Sequence, residues 1–198
     1  MKMMRTARTL VVGAGTFLAA SIASADLLVA EPVTAPYDNA QATVEFTGSE
    51  AGYTGEFYYL GSGNATSVTN PAPDTGPEGL GQYLFNNHSS ATGANVLIPE
   101  LFSNGDVLHF GYRVTEPEHG IDLFRTDVSN DVEQFAFDPQ SGAFGVEDLR
   151  FPNSDGDYND AAFNVSFSQV PGPSALAAIA VALVLRRGRR RAAHPVTA

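Results

Sequence analysis

Apolar and polar residues alternate along much of the middle of this chain. In Ala42-Thr43-Val44-Glu45-Phe46-Thr47, Val44 and Phe46 share one face while Glu45 and Thr47 share the other. A period of two is the mark of a half-buried strand. Val107 to Val114 repeats the pattern, with Leu108, Phe110, Tyr112 and Val114 on one face. His109 and Arg113 fall on the opposite face, so His109 reads as a surface residue. Ala162 to Ser168 closes the set: Phe163, Val165 and Phe167 inward, Asn164, Ser166 and Ser168 outward. Tyr53 to Leu60, Asn95 to Ile98, Val132 to Phe137 and Ala143 to Leu149 are further strand-like runs, separated by turn residues. The middle shows little helical periodicity. The pattern therefore predicts an all-β, single-domain fold over 26–169, an antiparallel β-sandwich or jelly-roll-like arrangement. The Gly/Pro/Asn-rich stretch Gly61 to Gly81 reads as a long mobile loop, or as a linker after an N-terminal hairpin.

The two ends follow a different logic. Met1 to Arg8 is basic, Thr9 to Ile22 is almost wholly apolar or small, and Ala23-Ser24-Ala25 supplies an A-x-A cleavage site. That order predicts a helical secretory signal peptide over 1–25; a retained anchor helix is the alternative. At the other end, Val170-Pro171-Gly172-Pro173 breaks regular structure and Ser174 is placed to cap a helix. Ala175 to Leu185 is an unbroken apolar run and Arg186 to Arg191 is basic. At ~1.5 Å per residue the predicted hydrophobic helix covers about half of a ~30 Å hydrocarbon core. The tail over 170–198 suits transient membrane insertion better than a permanent anchor.

Charge sharpens the contrast. The chain carries 11 basic and 22 acidic residues. Only Arg113, Arg125 and Arg150 lie between the two terminal segments, against all 22 acids, a balance of −19 for the middle. Such a domain repels nucleic acid. It attracts divalent cations, or is simply kept soluble by its surface. There is no cysteine, which excludes disulfides and thiolate metal sites.

One segment concentrates chemistry. Between Phe144 and Asp160 the chain reads F-G-V-E-D-L-R-F-P-N-S-D-G-D-Y-N-D. It gathers Glu147, Asp148, Asp155, Asp157, Asn159 and Asp160. Calcium takes several oxygen ligands at ~2.3–2.6 Å, and Asp155-x-Asp157-x-Asn159 offers oxygens at alternate positions, as a calcium loop does. Asp160 and Ser166 occupy the places where an EF-hand has its Gly and its bidentate Glu, so this is not an EF-hand. The competing reading is an Asx-rich turn whose side chains bond their own backbone.

Two resemblances follow from these residues. Pro171-Gly172-Pro173, the apolar run and the arginine cluster resemble a PEP-CTERM sorting tail, with Gly172 where that family has its central Glu. The resemblance implies recognition by a membrane sorting enzyme, exosortase. Glu147-Asp148-Leu149 followed by Asp155-Gly156-Asp157-Tyr158-Asn159-Asp160 is similar to the signature of the 4114-type domain of unknown function, found in exported bacterial proteins. That resemblance implies calcium bound at those acidic and amide positions.

No catalytic constellation stands out. His88, His109, His119 and His194 are scattered and show no zinc-site spacing. Function is thus expected to be non-enzymatic: an exported envelope or matrix protein with a calcium-stabilised domain. A carbohydrate-binding module is the alternative, with Tyr53, Tyr58, Tyr59 and Tyr83 as a stacking platform for exopolysaccharide or other glycans; a secreted hydrolase is a third reading. The signal segment makes a direct prediction. N-terminal sequencing of the exported protein should begin at Asp26; a mature form that keeps Met1 to Ala25 contradicts it.

Overall fold

The computed structural model describes residues 28–29, 31–76, 79–116, 120–150 and 153–172. The expected signal helix and C-terminal hydrophobic helix lie outside the described residues. Among the described residues no helix is long and apolar enough to cross a membrane.

The described chain is all-β. In order it forms β1 (Leu28–Val29), β2 (Val33–Thr34), β3 (Ala40–Gly48), β4 (Thr54–Asn64), β5 (Ser67–Pro71), β6 (Gln82–Asn86), β7 (Asn95–Leu97), β8 (Val107–Glu116), β9 (Gly120–Arg125), a 3-10 turn (Val132–Gln134), β10 (Phe135–Phe137), β11 (Ala143–Val146) and β12 (Ala161–Gln169). One antiparallel sheet runs β1-β10-β11-β12-β3-β7. The other is centred on the β4–β8 pair: β5 and β6 flank β4, while β2 and β9 flank β8.

The alternation read from the sequence fixes which faces meet. Val44 and Phe46 on β3, Phe110 and Tyr112 on β8, and Phe163 and Val165 on β12 are all buried. Their rings close the gap between the sheets. Phe57 of β4 stacks on Phe163 of β12 with centroids 3.9 Å apart and planes at 14°. Phe110 of β8 meets Phe144 of β11 at 5.4 Å. The two sheets therefore lie face to face, as in a β-sandwich, over a core rich in phenylalanine. Offset and tilted ring pairs add ~0.5–1.5 kcal/mol each beyond their buried area.

Three expectations change. First, the Gly61 to Gly81 stretch is not a linker. β4 runs on to Asn64 through a bulge, and β5 folds back to pair with it. The described part of the following loop then covers the outer face of β4: Ala72 N donates to Leu60 O at 2.9 Å, and Gly76 lies against the Tyr58 ring. Gly61 makes this possible, because a Cβ there would sit 2.3 Å from Asn70 O. Second, His109 is buried, not on the surface. The β4–β5 turn and the chain after β9 enclose it; its Nε2 lies 2.7 Å from Asn64 O and its Nδ1 3.3 Å from Thr126 Oγ1. Third, Tyr58 and Tyr59 are fully buried, so Tyr53, Tyr58, Tyr59 and Tyr83 do not form an exposed platform. The Tyr59 hydroxyl donates to Glu100 at 2.5 Å.

The stacked ring pair gives a test of this core. Phe57→Ala removes the ring between Phe163, Phe110 and Phe144. It should cost ~3–5 kcal/mol in urea unfolding. A loss below ~1 kcal/mol would mean that the sheets do not pack through this residue.

Candidate functional site

β11 delivers the chain into a loop over 147–160 that returns as β12. The first loop residue, Glu147, is 1% exposed. Its backbone N–H donates to Gln134 O at 2.9 Å, which anchors the start of the loop to the 3-10 turn. Its carboxylate accepts two hydrogen bonds, one from the Ser154 hydroxyl and one from the Tyr158 backbone N–H.

Tyr158 is held in an unusual backbone conformation. Its φ is 55°, the left-handed region that bulky residues avoid. Two contacts hold it there: the N–H on Glu147, and a phenol that donates to Glu133 O at 3.0 Å. Gly145 provides the room, since a Cβ at that position would come within 2.4 Å of the Tyr158 carbonyl oxygen.

This return brings three carboxylates together. One oxygen each from Glu147, Asp155 and Asp157 lies within 4.8 Å of the others. Two oxygens at ~2.3–2.6 Å from a shared calcium can stand at most ~5.2 Å apart, so the group can hold a metal ion of that size. Glu147 is buried, Asp157 half-buried and Asp155 exposed, which leaves one side open to solvent.

The other expected ligands have different work. Asn159 reaches the group through nitrogen: Nδ2 donates to Asp157 at 2.6 Å and to Glu50 at 3.2 Å. An amide nitrogen cannot ligate a cation; a half-turn of the amide would present its oxygen instead. Asp148 and Asp160 stand apart from the three-carboxylate group. Asp160 Oδ2 accepts the Asp148 N–H at 2.7 Å, and Asp148 Oδ2 accepts the Tyr53 N–H at 3.3 Å. The Ser49 hydroxyl donates to Asp160 O at 2.6 Å, and Glu50 N donates to Asn159 O at 3.0 Å. These contacts tie the loop directly to the turn after β3. The E-D-L segment is thus held against the start of the last strand in part by a direct hydrogen bond, from the Asp148 N–H to Asp160.

Ser154, Ser49 and Glu50 were not legible as site residues. Ser154 sits inside the acidic run but has no distinguishing neighbour. Ser49 and Glu50 lie about a hundred positions away and arrive only through the β3–β12 pairing.

No protein-family model, curated protein or solved structure matches this chain.

Burial pushes the Glu147 carboxyl above its ordinary value, and the charges of Asp160 and Asp155 add to the rise. The hydrogen bonds from Ser154 and Tyr158 pull the other way without cancelling it. Burial likewise lifts Asp160 from 3.8 to about 6; the Asp148 backbone N–H opposes the rise, while the Asp148 carboxylate reinforces it. A carboxyl with a raised folded pKa favours folding in its protonated form. Its contribution is complete below the unfolded value and is lost as pH climbs through the folded one. In chelator the melting temperature should therefore fall between about pH 4 and pH 7. Asp160→Asn should flatten that slope. A wild-type slope of the opposite sign, or one that Asp160→Asn leaves intact, contradicts the assignment.

Proposed function

We propose that the β-domain is a calcium-stabilised, non-enzymatic structural or binding module of an exported bacterial protein, resident at the cell surface or in the extracellular matrix. One observation carries the calcium reading: the buried Glu147 carboxylate is brought within ligand distance of Asp155 and Asp157. Its raised pKa adds support, because a buried carboxylate that two hydrogen bonds leave under-compensated is one that a cation would stabilise. Calcium suits an all-oxygen set better than zinc or copper, which favour nitrogen and sulfur. Asp148, Asn159 and Asp160 then serve as the shell that orients the loop, or join through water.

Export rests on the N-terminal segment, and sorting on the C-terminal one. Residues 170–198 would insert transiently in a membrane and be received there by an exosortase-like enzyme. The strongly acidic domain would leave nucleic acid aside. Membership of the 4114-type family, proposed from the E-D-L and D-x-D-Y-N-D elements, is in keeping with this assignment.

A cation that binds only the folded form adds about 2.7 kcal/mol at a hundredfold excess over its dissociation constant. The melting temperature of the full-length chain should thus rise with calcium and fall with chelator. Asp155→Ala combined with Asp157→Ala should abolish the response while the far-ultraviolet strand signal stays. A wild-type melting curve that calcium does not move would leave the loop as a hydrogen-bonded turn.

Glycan binding is the second reading, and a groove favours it. A cleft of about 470 Å3 lies beside β12, bordered by Tyr37, Phe137 and Phe167 and by the polar side chains of Thr34, Gln140 and Ser166. The half-buried Tyr37 and Phe167 rings, next to hydroxyl and amide groups, match the mixed surface of a sugar. Retention on immobilised polysaccharide, lost in Tyr37→Ala, would place the ligand there and not on the buried tyrosines.

A further inference from the structure

The loop's affinity for a cation depends on how firmly its two limbs are held together. The outward limb carries Glu147 and the return limb carries Asp155 and Asp157. Between them the chain reverses at Arg150, whose carbonyl accepts the Asn153 N–H at 3.0 Å. Arg150 is one of only three basic residues in 26–169.

Its guanidinium makes three hydrogen bonds. Nε and Nη2 grip the two oxygens of Asp122 on β9, each at 2.9 Å. Nη1 donates to Asp131, just before the 3-10 turn, at 2.8 Å. The same group lies over the Phe124 ring, 4.8 Å from its centroid. Phe124 is 1% exposed, so the arginine covers the core beneath it. This planar fork fits a carboxylate in a way lysine does not.

We propose that Arg150 is a positioning residue for the acidic loop: its fork on Asp122 and Asp131 fixes the reversal that returns Asp155 and Asp157 to Glu147, and so sets the loop's affinity for calcium. This inference rests on the calcium reading above. Arg150 and Asp122 are each more than a third exposed, so their ion pair adds little to global stability. Its effect falls instead on local order. Groups that orient a metal's ligands are worth about 10–100-fold in affinity when removed.

A rival account has the opposite sign. If Arg150 acted only through its positive charge, it would repel the cation, and its removal would tighten binding. Two variants of the full-length chain separate the accounts by calorimetric titration with calcium chloride at pH 7. Arg150→Met should weaken binding at least about tenfold. Arg150→Lys, which keeps the charge but loses the fork, should also bind clearly more weakly than wild type. Arg150→Lys should melt close to wild type in chelator; Arg150→Met, which takes this partner from the buried Asp131 carboxylate, should melt lower. Affinity equal to or tighter than wild type in either folded variant overturns the proposal. Should Arg150→Met fail to fold, Arg150→Lys decides alone. A wild-type chain that binds no calcium is a separate failure: it removes the calcium reading, and this inference with it.

Discussion

A carboxylate removed from water must find compensation, and at Glu147 the compensation is incomplete. Taking an ion out of water costs several kcal/mol even after the surroundings relax. Glu147 receives one backbone N–H and one hydroxyl. Those two bonds lower the carboxyl's pKa, yet burial and the charges of Asp160 and Asp155 still leave it raised. The remaining deficit is resolved either by a proton or by a cation. Much of the loop's construction follows from that constraint: the left-handed Tyr158, the side-chain-free Gly145 and the inward Ser154 all bring donors to one buried acid.

The sandwich makes the arrangement rigid. β10, β11 and β12 are neighbours in one sheet, so the 3-10 turn, Glu147 and the start of β12 are set by a continuous ladder. Glu147 bonds to Gln134 O, and Tyr158 to Glu133 O, on one side of the loop. Ser49, Glu50 and Tyr53 grip it on the other. Both supports adjoin strands that bury phenylalanine between the sheets. The aromatic core and the acidic loop are thus mechanically joined, although their chemistry differs. Binding energy gained at the loop would be expressed as stability of the whole domain.

Strands that bury one face and expose the other were readable from their period of two. Val44 and Phe46, the four inward residues of β8, and Phe163 with Val165 fall where alternation places them. β9 escaped because its pattern is broken: Ile121 is 61% exposed while Phe124 is buried. β5 and the end of β4 were hidden by glycines, which read as loop but here allow close approach of neighbouring backbone. His109 lies on the face opposite the core, and only the later folding of the β4–β5 turn and Thr126 over it decides its burial. The acidic loop was visible as composition. Its division of labour was not: Glu147, Asp155 and Asp157 gather, while Asp148 and Asp160 fasten the backbone. That depends on a register with β3 that no local pattern encodes.

The most direct test of the central claim is a crystal structure grown in calcium, with the ion identified by its anomalous signal. The account predicts one ion with oxygens of Glu147, Asp155 and Asp157 at ~2.3–2.6 Å, and with remaining positions filled by water or a reoriented Asn159 amide. It is contradicted if the three carboxylates are well ordered in calcium, make only the hydrogen bonds described above, and show no ion between them.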